Sequence, residues 1–539
     1  MRIVSVPEII AIEKKAHADG LTYKQMMDNA GGALADIVLR RYAHVVPKLV
    51  LGLIGSGNNG GDTLIALREM QQSGWQTTAC LIKERAMDDP LIQSLEKSGG
   101  IINAYYIKNY QDDLKRLVHT TSIILDGILG TGFKLPMRGT IPEVLKIVSA
   151  ELGNKPIVAV DCPSGTDCDS GASAPETLRA EVTVCMAALK QGLVKMPAAG
   201  LTGEIIQAGI GLGPDAFDRI QNSVIAADSK FVSDFLPSRC ADGHKGDFGK
   251  CIVIGGSVQY PGAPLLAAES AYRIGSGLVC TGVPGAIYDG VIGTLRESIW
   301  LVLPHEMGVL NEEAAKIVTH HAQKYDAMLV GPGLSFDKST ISFMRTLLDF
   351  DDKHSAPASI GFTATTKTKS KNTQNQPQFV FDADALRILP TIENWDKKLQ
   401  KTAVLTPHPG EMAVLTGKTI KEIQNARLET ARTFATTHGH VLVLKGATTI
   451  VASPDEVCSI VPFTTSALAT AGSGDVLAGM ITGLLAQGLD AYHAAVCGAW
   501  LHGAAGFYAG RQHGQEASVI ARDIIHQVPD ILNKITARP

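Results

Sequence analysis

Aromatic residues make up only 5% of this chain, and no two of its nine cysteines are spaced as CxxC. The scattered cysteines indicate neither a zinc knuckle nor a disulfide framework. Charge is almost balanced, at −4 over 539 residues, which removes any general attraction to nucleic acid or acidic membranes. No apolar run approaches membrane-spanning length, and Met1 to Gly20 carries acids and no signal-like core. A soluble cytoplasmic protein is expected. Glycine, by contrast, is plentiful at 54 residues, and with 45% hydrophobic content it suits an α/β protein with tight strand-to-helix turns. The length exceeds a single core and predicts two to four domains.

The densest chemistry lies at Gly472-Ser473-Gly474-Asp475, ahead of an apolar small-residue run, Val476 to Leu485, that reads as a buried helix. Glycines at a helix start let free N–H groups approach a ligand, and the helix dipole favours an anion there. Asp475 is a poor phosphate ligand but is placed to take a proton from a hydroxyl attacking phosphorus. A plain Asp cap after a glycine turn is the competing reading of these four residues alone.

Near the N-terminus, Pro7–His17 and Tyr23–Tyr42 carry apolar residues at helical spacing. A strand, Lys48–Ile54, then runs into the glycine turn Gly55–Asp62, followed by a helix, Thr63–Ser73, and a second strand, Thr77–Ile82. This is the start of a βαβ unit, with the turn at the carboxyl end of its first strand. Gly55, Gly57 and Gly60 satisfy G-x-G-x-x-G. However, Asp62 would repel a pyrophosphate, and the Asn58 and Asn59 amides suit a polar ligand or a cation better. Two further strands end alike, Ser122–Leu125 at Asp126–Gly132 and Pro156–Val160 at Asp161–Gly165. Three strand ends with acids, amides, a hydroxyl and glycines point to one site, and its oxygen ligands suit a hard cation, monovalent or divalent.

A stretch without clear periodicity, Leu212–Asp228, sets a boundary near 222–230 and domains of 1–222 and 223–539. Strands recur beyond it: Cys251–Ile254, then one ending at Gly331-Pro332-Gly333, and one ending at Asp382 and Asp384. Two more end at Thr406–Glu411 and at Lys445–Thr449. Gly361–Pro377, polar and without apolar period, reads as an exposed insertion. Lys445 with Gly446, Thr448 and Thr449 suits nucleotide phosphates, although no Walker A loop occurs. Together with Gly472–Asp475 this supplies an anion-binding helix start, a cation and a base, the parts needed for phosphoryl transfer to an alcohol.

GSGNNGGDT (55–63), DGILGTGF (126–133) and DCPSG (161–165) resemble NAD(P)H-hydrate epimerase domains. The GSGD run resembles NAD(P)H-hydrate dehydratases, relatives of the ribokinase-like kinases. Their order in one chain resembles the bifunctional NAD(P)H-hydrate repair enzymes of bacteria, over nearly the whole sequence. The resemblance implies an N-terminal Rossmann-like three-layer αβα domain followed by a ribokinase-like α/β domain. The first would interconvert R and S hydrates of NADH and NADPH. The second would phosphorylate the C6 hydroxyl of the S form from ADP, with Mg²⁺, and eliminate phosphate, leaving AMP.

By the same resemblance Asn58, Asn59, Gly60, Gly61 and Asp62 bind the hydrate in the first domain. So do Gly130, Thr131, Gly132, Phe133, Lys134, Leu135 and Pro136, and Asp161, which is also favoured as the acid–base group. Asn59, Asp126 and Ser164 would hold potassium. In the second domain Ala263, Gly333, His408 and Asp475 would contact the hydrate, with Asp475 as base. Lys445, Gly446, Ala447, Thr448, Thr449 and Gly474 would bind the nucleotide. Thr63 stands where the family usually has glycine, and would narrow the approach to substrate. Cys162 replaces an aliphatic residue and is expected to point into the core. Glycine- and alanine-rich helices such as Ala494–Gly510 suit packing against another subunit, so a homo-oligomer is expected. The alternative is a small-alcohol kinase fused to a ligand-binding module.

Overall fold

The computed structural model describes residues 1–86, 88–108, 111–218, 224–349 and 376–536. Two compact units emerge, Met1–Asp228 with Pro462–Thr464, and Ser229–Val461 with Thr465–Pro539. Among the described residues no helix is long and apolar enough to cross a membrane.

The first unit is built on a seven-stranded sheet: β1 (Leu49–Ile54), β2 (Gln76–Leu81), β3 (Ile101–Ala104), β4 (Ile123–Gly127), β5 (Ile157–Val160), β6 (Val182–Met186) and β7 (Glu204–Ala208). Their order is β3-β2-β1-β4-β5-β6-β7, every neighbouring pair parallel. Both faces of β1 are apolar: Val50 and Ile54 join one buried cluster, Leu51 and Leu53 the other. That is the pattern expected of a parallel strand covered by helices on both sides. Helices α1 (Val6–Ala18) and α2 (Tyr23–Arg41) each begin with a capping box, Ser5 with Glu8 and Thr22 with Gln25. The chain reverses direction across the sheet between β1 and β4, where parallel α/β sheets gather ligands.

Two boundaries differ from expectation. Helix α3 spans Asn58–Gln72, so the Asn-rich segment is its first turn rather than a loop before Thr63. A Cβ on Gly60 would stand 2.1 Å from the Gly55 carbonyl oxygen, so the helix starts pressed against the strand end. Asp126 lies inside β4 rather than after it, fully buried.

In the second unit the strands are β8 (Lys250–Ile254), β9 (Leu278–Pro284), β10 (Ile299–Leu303), β11 (Ala327–Val330), β12 (Gln378–Phe381), β13 (Val404–Leu405), β14 (Val441–Leu444), β15 (Thr449–Ala452) and β16 (Cys458–Val461). They run β16-β15-β14-β13-β12-β11-β8-β9-β10, parallel from β14 to β10 and antiparallel at β15 and β16. Gly331, Asp382, Thr406 and Lys445 follow β11, β12, β13 and β14 directly, so they share one carboxyl edge. Helices α4 (Ala263–Arg273), α5 (Pro409–Thr416), α6 (Arg427–His438), α7 (Ser473–Ala486) and α8 (Ala491–His513) belong to this unit.

The apolar run after Asp475 is a buried helix, as expected, but α7 begins at Ser473 and takes Asp475 into its first turn. The glycine- and alanine-rich α8 is almost wholly buried inside its own unit and packs against α7. It therefore offers no broad face to another subunit, contrary to the reading of Ala494–Gly510. Residues 361–375 of the expected insertion lie outside the described residues; Gln376 and Pro377 at its end are buried rather than exposed.

Candidate active sites

At the carboxyl edge of the first sheet, Asn58, Asn59, Asp62, Thr131 and Asp161 line a cavity of about 440 Å³. Glu13, Tyr23 and Lys190 complete its polar wall. Asp161 holds a left-handed backbone, φ 66°, which costs a non-glycine residue on the order of 1–2 kcal/mol. Its side chain is fixed by the Met186 N–H, 2.9 Å from Oδ1, and by an ion pair with Lys190, whose Nζ also donates to the Met186 carbonyl at 2.8 Å. Burial disfavours the Lys190 charge, yet Asp161 holds the ammonium protonated well above the usual range. Asp62 is 7% exposed, and among the described residues no hydrogen bond or ion pair meets its carboxyl. Burial first, then Asp161 and Glu13, push it up to about 8, with Lys190 opposing.

Asp126, Ser164 and Asn59 come together behind this wall. Ser164 donates to Asp126 through Oγ at 2.5 Å and N–H at 2.9 Å, and the Leu129 N–H donates to Ser164 Oγ at 2.9 Å. The Asn59 amide donates to the Leu129 and Val160 carbonyls at 3.1 and 2.6 Å. Burial raises Asp126, and among the described residues no cation pairs with it. Thr63 turns away from the cavity: its Oγ1 donates to the Asn59 carbonyl at 2.7 Å, and it packs where a Cβ on Gly127 would sit 2.0 Å away. It does not narrow the approach to substrate. Cys162 points inward as expected, with Sγ 3.8 Å from the Leu129 carbonyl. Of the loop from Gly130 to Pro136, Thr131 alone is on the cavity wall. Lys134 leans on Asp167 and Asp169 at 3.0 and 3.6 Å, and Phe133 N–H closes the turn on Gly130 at 3.0 Å.

In the second unit Gly472, φ 85°, caps α7 without a side-chain bond, so Asp475 is not the cap. Burial, with Asp382 and Glu411, pushes Asp475 up to about 8 against the pull of Lys445. Lys445 Nζ donates to Asp382 Oδ1 at 2.8 Å and stands 3.7 Å from Glu411 Oε2. It also stands 3.3 Å from where a Cβ on Gly474 would be, which brings the lysine to the positive end of α7. Against the penalty of burial, these carboxylates keep Lys445 protonated. Burial likewise lifts Glu411 to about 7. Ser473 bonds the buried His502 at 3.0 Å, and burial lowers that imidazole to about 4, keeping it neutral.

His408 caps α5, its Nδ1 accepting from the N–H groups of Gly410 and Glu411 at 2.9 and 3.3 Å. Nδ1 is thus an acceptor, leaving the proton on Nε2. Ala263 opens α4 beside Gly333, whose φ of 66° and close neighbours exclude a side chain: a Cβ there would be 2.7 Å from the Tyr260 carbonyl oxygen and 3.1 Å from the Ala263 Cβ. The loop Lys445–Thr449 is braced from α6 by Arg427, whose Nη2 donates to the carbonyls of Leu444, Lys445 and Thr448 at 3.0, 3.3 and 3.0 Å.

Sequence reasoning missed Glu13, Lys190 and Arg427 altogether, and it noted Asp382 and Glu411 only as strand-end acids. A lysine closing the apolar run Val182–Leu189 was the one local signal for Lys190.

Two parallel α/β units with polar strand ends, one of them with a carboxylate and a lysine at a glycine-capped helix start, define a nucleotide-handling α/β enzyme. Residues 251–530 match the family model described as NAD(P)H-hydrate dehydratase, and residues 23–192 that of the YjeF-related protein N-terminus. The chain is 33% identical to the bifunctional NAD(P)H-hydrate repair enzyme Nnr of Moorella thermoacetica, covering 99% of this chain and 97% of that one. Its identity to the Escherichia coli enzyme of the same name is 30%, over 95% and 90% of the two chains. The crystal structure of the ADP/ATP-dependent NAD(P)H-hydrate dehydratase from Bacillus subtilis aligns with 58% of this chain and 99% of its own, at 27% identity and a TM-score of 0.45. The chain belongs to the bifunctional NAD(P)H-hydrate repair enzymes.

Proposed function

We propose that the first unit interconverts the R and S hydrates of NADH and NADPH, and that the second dehydrates the S form by phosphorylating its C6 hydroxyl from ADP. The observation that carries this is Asp475, basic for a carboxyl and set in the first turn of α7 beside Lys445. Once ionised, a carboxyl near 8 is a stronger proton acceptor than an ordinary carboxylate, and its ionised fraction grows as pH rises toward 8. The Gly474 N–H at the start of α7 and the Lys445 ammonium oppose the charge gathering on the transferred phosphoryl group. Phosphate is then a good leaving group where hydroxide was a bad one, and its elimination restores the reduced nicotinamide. Lys445 to Thr449 and Gly474 are assigned to ADP. Mg²⁺ accompanies that nucleotide as part of the substrate. Ala263, Gly333 and His408 are assigned to the hydrate.

For the first unit, the donors of Asn59, Asp126 and Ser164 include one buried carboxylate without a cation, which fits potassium. When bound, the ion would offset the Asp126 charge and steady the strand ends. The nine cysteines are all unpaired, which favours a reducing compartment such as the cytoplasm.

Incubation with both hydrate epimers, K⁺, Mg²⁺ and ADP tests both assignments. Consumption of both epimers with release of phosphate and AMP is expected. Accumulation of a stable phosphorylated hydrate would instead favour the small-alcohol kinase.

A further inference from the structure

The cavity of the first unit holds two carboxyls in opposite chemical situations. Asp161 is the partnered member, its Oδ1 committed to the Lys190 ammonium and the Met186 N–H. Asp62, in the second turn of the facing α3, is buried on the same wall, and no donor or cation among the described residues meets its carboxyl. A buried carboxyl without partners keeps its proton, because the bare anion would have no compensation. Two neighbouring carboxyls, one held by an ammonium and an N–H and the other without a partner, suit the roles of base and acid.

We propose that Asp62 is the proton donor and Asp161 the proton acceptor of the interconversion, which rests on the epimerase reading of this unit. Asp62 gives its proton to the C6 hydroxyl; the C6–O bond breaks as the ring-nitrogen lone pair forms a C6–N1 double bond, and water leaves. Water then adds to C6, the double-bond pair returns to nitrogen, and the proton shed by the entering water goes to Asp161. The net result is the opposite hydrate and one proton moved from Asp62 to Asp161. Exchange with solvent, or a turnover in the reverse direction, resets the pair.

The other groups facing Asp62 are Glu13 from α1, Tyr23 from α2 and Lys190 beyond β6. Arg85, paired with Asp89, covers the Gly55 and Gly57 carbonyls and is not on the cavity wall. Glu13 and Asp161 raise Asp62, Lys190 lowers it, and burial dominates, to about 8. Interconversion therefore has an alkaline limb above about pH 8, where the donor loses its proton.

The test is a pH profile of interconversion in ¹⁸O-water for the full chain, its Asp62→Asn variant and its Asp62→Glu variant. Expected are solvent oxygen at C6 and an alkaline limb in the unaltered chain, and at least a 100-fold slower interconversion without that limb in D62N. The glutamate variant retains the limb. A first-unit unfolding transition in D62N at or above the temperature of the unaltered chain, read by scanning calorimetry, reports that the variant's first unit is folded. Interconversion within threefold of the unaltered rate in D62N, or interconversion without oxygen exchange, overturns the proposal. Absence of any interconversion by the unaltered chain would instead remove the epimerase reading itself.

Discussion

Lys445 and Asp382 meet across the carboxyl edge of the second sheet, Nζ to Oδ1 at 2.8 Å, with β13 lying between their strands. This single cation serves Asp382, Glu411 and Asp475, and all three raise its proton affinity in return. Replacing it with methionine leaves buried carboxylates without a counter-charge, a change that costs about 3–5 kcal/mol when one partner of a buried pair is removed. We expect Lys445→Met to lower the thermal midpoint by several degrees and dehydration by at least 100-fold, with epimerisation preserved at temperatures where the chain stays folded. Scanning calorimetry and separate assays of the two reactions check both. Dehydration within a few fold of the unaltered rate would show that the lysine is structural only.

Asp475 carries a prediction in both activity and stability. As the base it is needed ionised, so dehydration should rise with pH and level off above about 8 in the free enzyme. Asp475→Asn should lose roughly 10²–10⁴-fold in dehydration while epimerisation is untouched. For stability, the folded-state value is raised above that of the unfolded chain, so folding takes up the proton more tightly. The contribution is fully present below about pH 4 and is lost as pH rises through about 8. The asparagine variant escapes that loss and should be more stable than the unaltered chain at pH 8–9, by about 2 kcal/mol. Urea unfolding at pH 6 and pH 9 reads the difference; equal gaps at both pH values contradict the assignment.

How far these sites could be read in advance depended on whether their parts are local in sequence. Apolar runs ending in glycine or aspartate marked the strands at Ile54, Val160, Phe381 and Leu444 to within a residue or two, because a parallel strand is buried on both faces. Gly472–Asp475 was legible for the same reason, as a helix start written in four consecutive residues. Asn58 as a helical residue was not: its helix begins early because Gly57 caps it and Gly60 lets it press on the strand end. Asp62 and Asp161 were legible as members of one site, but Glu13 and Lys190, which close the same cavity wall, were not. The four lie on separate elements that only the folded sheet brings together; nothing near Glu13 in sequence separates it from a solvated charge, and the apolar run before Lys190 was its one local signal. Thr63 shows the converse error, a residue beside a motif that faces the sheet and not the ligand.

Asp126 offers a test of the potassium assignment that does not depend on the epimerase chemistry of Asp161. If the ion offsets this buried charge, potassium should stabilise the folded first unit by mass action. Titrating K⁺ from zero to about 100 mM at constant ionic strength should raise the thermal midpoint of the unaltered chain and stimulate interconversion. In Asp126→Asn both responses should flatten, because the negative charge to be offset is gone. A variant that keeps the full potassium response places the ion elsewhere.

Arg427 reaches three backbone carbonyls with one nitrogen, at 3.0, 3.3 and 3.0 Å, and so holds the loop from Lys445 to Thr448 against α6. Burial lowers its proton affinity, yet a guanidinium stays charged at any working pH. It touches the loop from behind, through main-chain carbonyls, and is a positioning residue. Hydrogen bonds to a charged group contribute about 1.5–3 kcal/mol, and removing the donor leaves several loop carbonyls to find water. Arg427→Ala should therefore raise the KM for ADP about tenfold. It should reduce kcat by less than threefold, because Asp475 and the start of α7 are undisturbed. Arg427→Lys, with one ammonium in place of a planar fork, should recover only part of that loss. Initial-rate measurements at varied ADP and saturating hydrate separate the two constants. A fall in kcat with KM unchanged would mean that the loop steers the chemical step rather than the nucleotide.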